Sequence, residues 1–216
     1  MVNKLVLINP ADVAKLNAAS IPVFTLPPPS LAYLAALTPS DWEIKIIDEN
    51  VEPLTFEDTD LVGITAMTSN APRAYEISGQ YRLKGIKTVM GGVHASFLGD
   101  EAIEFFDSVV IGEADSILQT LLHDFKKNEL KQYYRGERIP LDNVVWTRND
   151  LHGNKYRFKA SVQTARGCPM DCDFCSVTSF HGRTYRQRPT ADVLDEIEAL
   201  NCREFFFCDD NLLGYG

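Results

Sequence analysis

Short apolar runs alternate with segments of helical length through the first 127 residues, and this alternation restricts the fold more than any other property of the chain. Lys4 to Ile8, Trp42 to Asp48, Asp60 to Thr65, Ile86 to Met90 and Ser108 to Ile111 each have the length and β-branched content of a buried strand. Between them, Ser30 caps a helix over Leu31 to Leu37 that stops near Pro39. Asn70 to Lys84 reads as a helix closed by Gly85, and further helices are expected over Ala95 to Phe106 and from about Ala114 to Lys127.

Units of this length predict an α/β fold: a flavodoxin-like, doubly wound parallel sheet in the order 2-1-3-4-5. Ligands of such sheets bind outside the carboxyl ends of the strands. Those ends supply Asn9, the Thr65 to Asn70 loop with Thr65 and Met67, then Gly91, Gly92 and His94, and finally Gly112 and Glu113. No G-x-G-x-x-G is present, so dinucleotide binding lacks its fingerprint. A phospho-receiver would need an aspartate and a lysine where Thr65 and Gly112 stand. A bulky flat ligand fits better, because Gly91-Gly92 removes side chains at a strand mouth and lets backbone approach a ring closely. The competing reading takes the glycines as ordinary turn residues and His94 as a hydrogen-bonded loop histidine, in a docking domain that binds no cofactor.

A formal charge of -9 disfavours a surface that tracks phosphates, so nucleic acid is not an expected partner. The apolar run Val2 to Ile8 is too short for a signal peptide, and no stretch of about 18 apolar residues marks a transmembrane segment. Five cysteines, odd in number and with three clustered, suit metal ligation in a reducing, cytoplasmic compartment better than a disulfide framework. Residues 1–127 are expected to form the first domain and 128–160 a solvated inter-domain linker. There Lys and Arg alternate with Tyr133, Tyr134, Trp146 and Tyr156, a mixture that also suits single-stranded nucleic acid but fits a crossing segment better.

Residues 161–216 carry the densest chemistry. Ser161 to Ala165 alternates as a strand should and leads into Arg166-Gly167-Cys168-Pro169-Met170-Asp171-Cys172-Asp173-Phe174-Cys175. Three thiols at C-x3-C-x2-C spacing can converge on one small centre. A [4Fe-4S] cluster normally takes four thiolates, so three leave one iron open for chemistry. A structural zinc site with His181 as fourth ligand is the rival. Thr190 then caps a helix whose Val193, Leu194, Ile197 and Leu200 share a face. Glu204 to Cys208 reads as the next strand, ending at Asp209-Asp210-Asn211. Strand, loop, helix and strand open a (βα) barrel of the partial TIM type. Cys202 and Cys208 are expected to be ordinary buried thiols.

The cysteine spacing, with Phe174 directly before the third thiol, resembles the cluster loop of the radical S-adenosylmethionine (SAM) superfamily. Thr164 to Pro169, Gly182 to Arg186 and Arg188-Pro189 look like the subgroup that carries an N-terminal cobalamin-binding-type domain. Thr65-x-Met67 and Gly91-Gly92 resemble the elements lining the nucleotide-tail pocket of such domains. The loop Asn9-Pro10-Ala11-Asp12-Val13-Ala14 departs from the family, since it lacks the histidine that would ligate cobalt from below. The resemblance implies that Cys168, Cys172 and Cys175 hold a [4Fe-4S] cluster. It further implies that Phe174 packs on the cluster or the SAM adenine, and that Asp209, Asp210 and Asn211 contact SAM. Reductive SAM cleavage, methyl transfer involving cobalamin, a small-molecule or lipid-like substrate and a flavodoxin- or ferredoxin-type electron donor follow as expectations. A cobalamin-free radical SAM cyclase, rearrangement or methylthiolation enzyme, and a non-catalytic corrinoid- or partner-binding fragment, remain open. Because only two barrel strands are read, the cysteine loop is expected to be incompletely shielded and its cluster labile.

Overall fold

Strand β1 (Asn3–Asn9) is buried from Leu5 to Ile8 without alternation, as a strand covered on both faces must be. The computed structural model describes residues 2–12 and 26–214; the loop expectations for Val13, Ala14 and Pro22 lie outside the described residues. After α1 (Pro29–Leu37), which starts at a proline as first helical turns allow, come β2 (Trp42–Asp48), β3 (Leu61–Thr65), α2 (Ala71–Leu83) and β4 (Lys87–Gly91). They are followed by α3 (Val93–Phe97), α4 (Gly99–Phe105), β5 (Ser108–Gly112), α5 (Leu118–Lys126) and β6 (Tyr133–Gly136).

The strands form one parallel sheet in the order β2-β1-β3-β4-β5-β6. The expected 2-1-3-4-5 arrangement is present and extended by one edge strand. Hydrophobic periodicity did not reveal β6, because Tyr133-Tyr134-Arg135-Gly136 is short and sits in the polar stretch read as a linker. Its Tyr134 is buried, with the hydroxyl on Asp124 at 2.9 Å. The one helix expected over 95–106 is two, broken at Leu98, whose φ of -124° and ψ of 43° leave the helical region.

On one face Val6, Ile8, Val62, Ile64 and Met90 pack against Ala74, Ile77 and Tyr81 of α2 and Ala95, Ala102 and Phe106. Each fully buried aliphatic or aromatic side chain contributes about 1.5–3 kcal/mol. On the other face Leu5 and Leu7 are equally buried, and α5 brings Phe125 to Trp42, with ring centroids 5.7 Å apart.

The chain divides into two compact units. The first holds the whole six-stranded sheet with helices α2 to α5; the second holds most of α1 together with everything from Arg138 onward. Helix α1 therefore does not belong with the sheet that precedes and follows it in sequence: Ala32 accepts a bond from the Arg148 amide at 3.0 Å, and the Arg166 guanidinium lies 4.9 Å above the Tyr33 ring. Residues 138–160, the larger part of the expected solvated linker, belong to the second unit. Trp146, Thr147 and Asn149 are bound there to later residues.

The second unit continues with β7 (Ser161–Val162), β8 (Ala165–Gly167), α6 (Ser176–His181), β9 (Tyr185–Gln187), α7 (Thr190–Ala199) and β10 (Phe206–Phe207). β7 and β10 pair in parallel, as two adjacent barrel strands do, whereas β8 and β9 form an unexpected antiparallel pair. Helix α7 buries Val193 and Glu196 and leaves Leu194 exposed. The expected apolar face is thus rotated, because buried Arg188 draws Glu196 inward.

Candidate cofactor sites

Parallel pairing brings the exits of β1, β3, β4 and β5 to one edge of the sheet, so the candidate residues of the first unit share a rim. Asn9 is committed to it structurally: its Nδ2 donates to the Asp48 carboxylate at 3.0 Å, which also caps the turn at Asn50. The Pro10 carbonyl accepts from Asn70 Nδ2 at 2.9 Å, and the Ala11 amide donates to Glu49 at 3.0 Å. Arg73 in turn pairs with that nearly buried Glu49 at 2.5 Å. Motif reading did not single out Glu49 or Arg73, although the polar run Asp48-Glu49-Asn50 at a strand exit was available as a signal.

At the centre of the rim stand the two glycines. Gly92 has φ of 94° and ψ of -171°, a region open essentially to glycine alone. A Cβ there would lie 2.7 Å from Thr65 Oγ1 and 3.0 Å from the Ala66 carbonyl. Gly91 is the opposite case: a Cβ added to it would meet nothing within 4 Å. The pair therefore makes a cradle, tight underneath and open above, with Met67 exposed beside it. Gly112 donates its amide to Ser96 Oγ at 3.0 Å at the end of β5, and Glu113 is buried next to it. At Gly91 the strand exit is bare of side chains, as close approach of a large ring to the backbone requires.

His94 is not presented to the rim. It is 2 % exposed, its Nε2 lies 2.6 Å from the Tyr75 hydroxyl and its Nδ1 lies 3.3 Å from Thr68 Oγ1. Burial holds its pKa below the ordinary histidine value, against the upward pull of Glu101. The ring of this α3 residue is buried and hydrogen-bonded on both nitrogens, in keeping with the alternative reading of it as a structural histidine.

In the second unit the cysteine loop leaves β8 at Gly167, whose φ of 88° and contact with the Thr184 carbonyl both require glycine. Cys168 and Cys175 are half-buried and Cys172 is exposed, with the Cys175 amide donating to the Cys172 carbonyl at 3.0 Å. Among the described residues no three His, Cys, Asp or Glu side chains are gathered around a point that could hold a metal ion, so the thiols share a loop without converging. Three soft thiol donors in one loop nevertheless match, in chemistry, what iron-sulfur clusters take. His181, the fourth ligand of a zinc alternative, stands 3.5 Å from Asp210 and 3.5 Å from Arg186 instead. Phe174 is 92 % exposed.

The run after β10 bonds to the strand that enters the cysteine loop. One carboxylate, Asp209, accepts from the Thr164 amide at 2.7 Å, the Thr164 hydroxyl at 2.8 Å and the Ala165 amide at 2.8 Å. Asp210 accepts from the Gly167 amide at 2.9 Å, and Asn211 Nδ2 donates to the Cys168 sulfur at 3.3 Å. These residues fasten the strand that delivers Cys168, and their bonds explain why β7 and β8 are interrupted at Gln163-Thr164. Charge-assisted bonds of this kind are worth about 1.5–3 kcal/mol each. Asp209→Ala is expected to speed amide exchange at Thr164 and Ala165 by at least about tenfold; hydrogen-exchange mass spectrometry checks this, and unchanged protection would show that the carboxylate fastens nothing. Arg183 pairs with Asp171, Arg186 donates to the Ile139 carbonyl at 2.7 Å, and Tyr185 donates to the Leu212 carbonyl at 3.3 Å. The Cys208 thiol is pushed up to about 12 by burial and the neighbouring Asp209 charge, so it stays protonated.

Comparison with known proteins finds a matching domain family and several relatives. The B12 binding domain family matches residues 17–122. The chain is 34% identical over 191 residues to bacteriochlorophyllide d C-8(2)-methyltransferase of Chlorobaculum tepidum, spanning 82% of this chain and 41% of that protein. It is 24% identical over 201 residues to hopanoid C-2 methylase of Rhodopseudomonas palustris, spanning 88% of this chain and 38% of that protein. Among solved structures, the radical SAM methyltransferase TsrM of Kitasatospora setae, with cobalamin and a [4Fe-4S] cluster bound, superposes with a TM-score of 0.68 at 18% identity, covering 98% of this chain and 49% of TsrM. The chain thus spans less than half the length of these relatives.

Proposed function

Because the chain belongs with the radical SAM proteins that carry a B12 binding domain, we propose that its first unit binds a cobalamin and that its second begins a [4Fe-4S] and SAM site, in a methyltransferase acting on a small-molecule or lipid-like substrate. The observation that carries the corrinoid part is the Gly91-Gly92 cradle, open above Gly91 and closed beneath Gly92, at the carboxyl edge of the sheet.

In this reading the first unit works by shape. Gly91 and Gly92 admit the corrinoid to backbone distance, Met67 offers an apolar contact, and Thr65, packed under Gly92, fixes the loop height. No described residue of the β1 exit supplies an imidazole to the metal face. When bound, cobalamin supplies a centre for methyl transfer. Cys168, Cys172 and Cys175 would hold the cluster, and the Asp209 to Asn211 run would keep the entering strand in place. When bound, the cluster supplies the electron for reductive SAM cleavage, drawn from a flavodoxin- or ferredoxin-type donor. Asn211, as a donor to the Cys168 sulfur, belongs to the hydrogen bonds that tune such clusters.

Anaerobic reconstitution with iron and sulfide, together with hydroxocobalamin titration of the full chain, tests both halves. About four irons per chain, lost in Cys168→Ala, and a corrinoid spectral change are the expected outcomes. Zinc in place of iron would end the cluster reading, and an unchanged corrinoid spectrum would end the methyl-transfer reading.

A further inference from the structure

Beneath the rim runs a line of four polar side chains that no step described above employs. Thr68 is exposed in the turn Thr68–Asn70 that follows Thr65-x-Met67. Its hydroxyl lies 3.3 Å from His94 Nδ1; His94 Nε2 lies 2.6 Å from the Tyr75 hydroxyl; that hydroxyl donates to Glu101 at 2.9 Å. The members are held independently. Tyr75 is stacked on Phe105 with centroids 4.1 Å apart and planes 8° from parallel, and the His94 amide donates to the Ala66 carbonyl at 3.0 Å.

Counting protons fixes the direction of this line. Glu101 is about half exposed, and as a carboxylate it only accepts, so the single tyrosine proton goes to it. The 2.6 Å contact between Tyr75 and Nε2 then needs its proton from the histidine. A neutral ring with a proton on Nε2 has only a lone pair on Nδ1, which Thr68 must fill by donating. Burial keeps the ring neutral near pH 7. The hydroxyl hydrogen of Thr68 is therefore turned inward, and only its oxygen lone pairs face the rim.

We propose that Glu101, Tyr75 and His94 act as positioning residues that fix Thr68 as a hydrogen-bond acceptor at the corrinoid rim, where it selects ligands bearing primary-amide N–H groups over ligands bearing carboxylates in the same places. The inference rests on the corrinoid reading above and adds to it a chemical preference. An amide nitrogen meets a waiting lone pair; a carboxylate oxygen meets a lone pair and is repelled.

The experiment measures the affinities of the full chain for cobinamide and for cobyrinic acid, its carboxylate counterpart, in wild type, Tyr75→Phe and Thr68→Val. It is coupled to a long-range 15N–1H spectrum of the histidine rings. The wild type is expected to show the Nε2–H tautomer of His94 and to favour the amide ligand. Tyr75→Phe frees His94 to place its proton on Nδ1, and Thr68→Val removes the acceptor; each is expected to shrink the amide-to-carboxylate ratio by about tenfold, the worth of one hydrogen bond. Comparing ratios between variants cancels the general effect of ligand charge. An Nδ1–H or doubly protonated His94 in the wild type overturns the proposal, as does an unchanged ratio in both variants while both ligands still bind. Binding of neither ligand by a folded wild type would overturn the corrinoid reading itself and this preference with it.

Discussion

Arg188→Met lowers the stability of the second unit by about 3–5 kcal/mol, the usual cost of leaving a buried charge without its partner. The Arg188 and Glu196 side chains are 5% and 2% exposed and meet at 2.5 Å. The same guanidinium donates to the Gln163 carbonyl at 2.8 Å and to Asp192 at 2.8 Å. Asp192 accepts from Trp146 Nε1 at 2.8 Å, and Glu196 accepts from the Thr147 hydroxyl at 3.1 Å. One cation thus joins the strand before the cysteine loop, helix α7 and the 146–147 segment. Chemical denaturation followed by Trp146 fluorescence reads the loss, since that indole bonds directly to the cluster of charges. Arg188→Met combined with Glu196→Leu should recover most of it, because apolar replacement of a whole buried pair is often neutral. A double variant no more stable than the single one would show that packing, rather than the orphaned Glu196, sets the cost.

Gly92→Ala is expected to cost about 1–3 kcal/mol in backbone strain, with hydroxocobalamin affinity falling on the order of 10- to 100-fold as the loops shift to relieve it. The new methyl group cannot be accommodated by side-chain movement alone, because one of its neighbours is the Ala66 carbonyl at 3.0 Å. Gly91→Ala provides the contrast. With nothing within 4 Å of its Cβ, it should leave the thermal midpoint nearly unchanged and weaken the corrinoid through occupancy of the cradle. Thermal melts and titrations of the two variants separate the roles. Equal, wild-type corrinoid affinity in both would remove the glycine pair from the site.

The sheet was legible because burial on both faces leaves short, unalternating apolar runs at β1, β3 and β4, spaced by helical segments, which the sequence pattern reveals without knowing any contact. The glycine cradle was legible for a related reason: adjacent glycines at a strand exit have few physical uses. β6 was hidden by its two tyrosines, which are amphipathic, and by the lysines around it. The membership of α1 was hidden more deeply, since nothing local tells a helix which sheet or segment its face will cover. The cysteine spacing pointed to a loop, whereas the fate of Asp209-Asp210-Asn211 depended on backbone amides more than forty residues away. His94 was visible as a residue near the rim; its inward orientation is set by Tyr75 and Thr68, each unremarkable in sequence.

The Asp209 fastening also sets an order of events during synthesis. The Ala165 amide leaves the ribosome 44 residues ahead of the carboxylate that will hold it. At about 5–20 residues per second, the three thiols, 34 to 41 residues ahead of Asp209, emerge roughly 2–8 s before the strand leading to them can be secured. During that interval the strand entering the cysteine loop lacks the carboxylate that fastens it, so the loop takes its final form only once Asp209 has been translated.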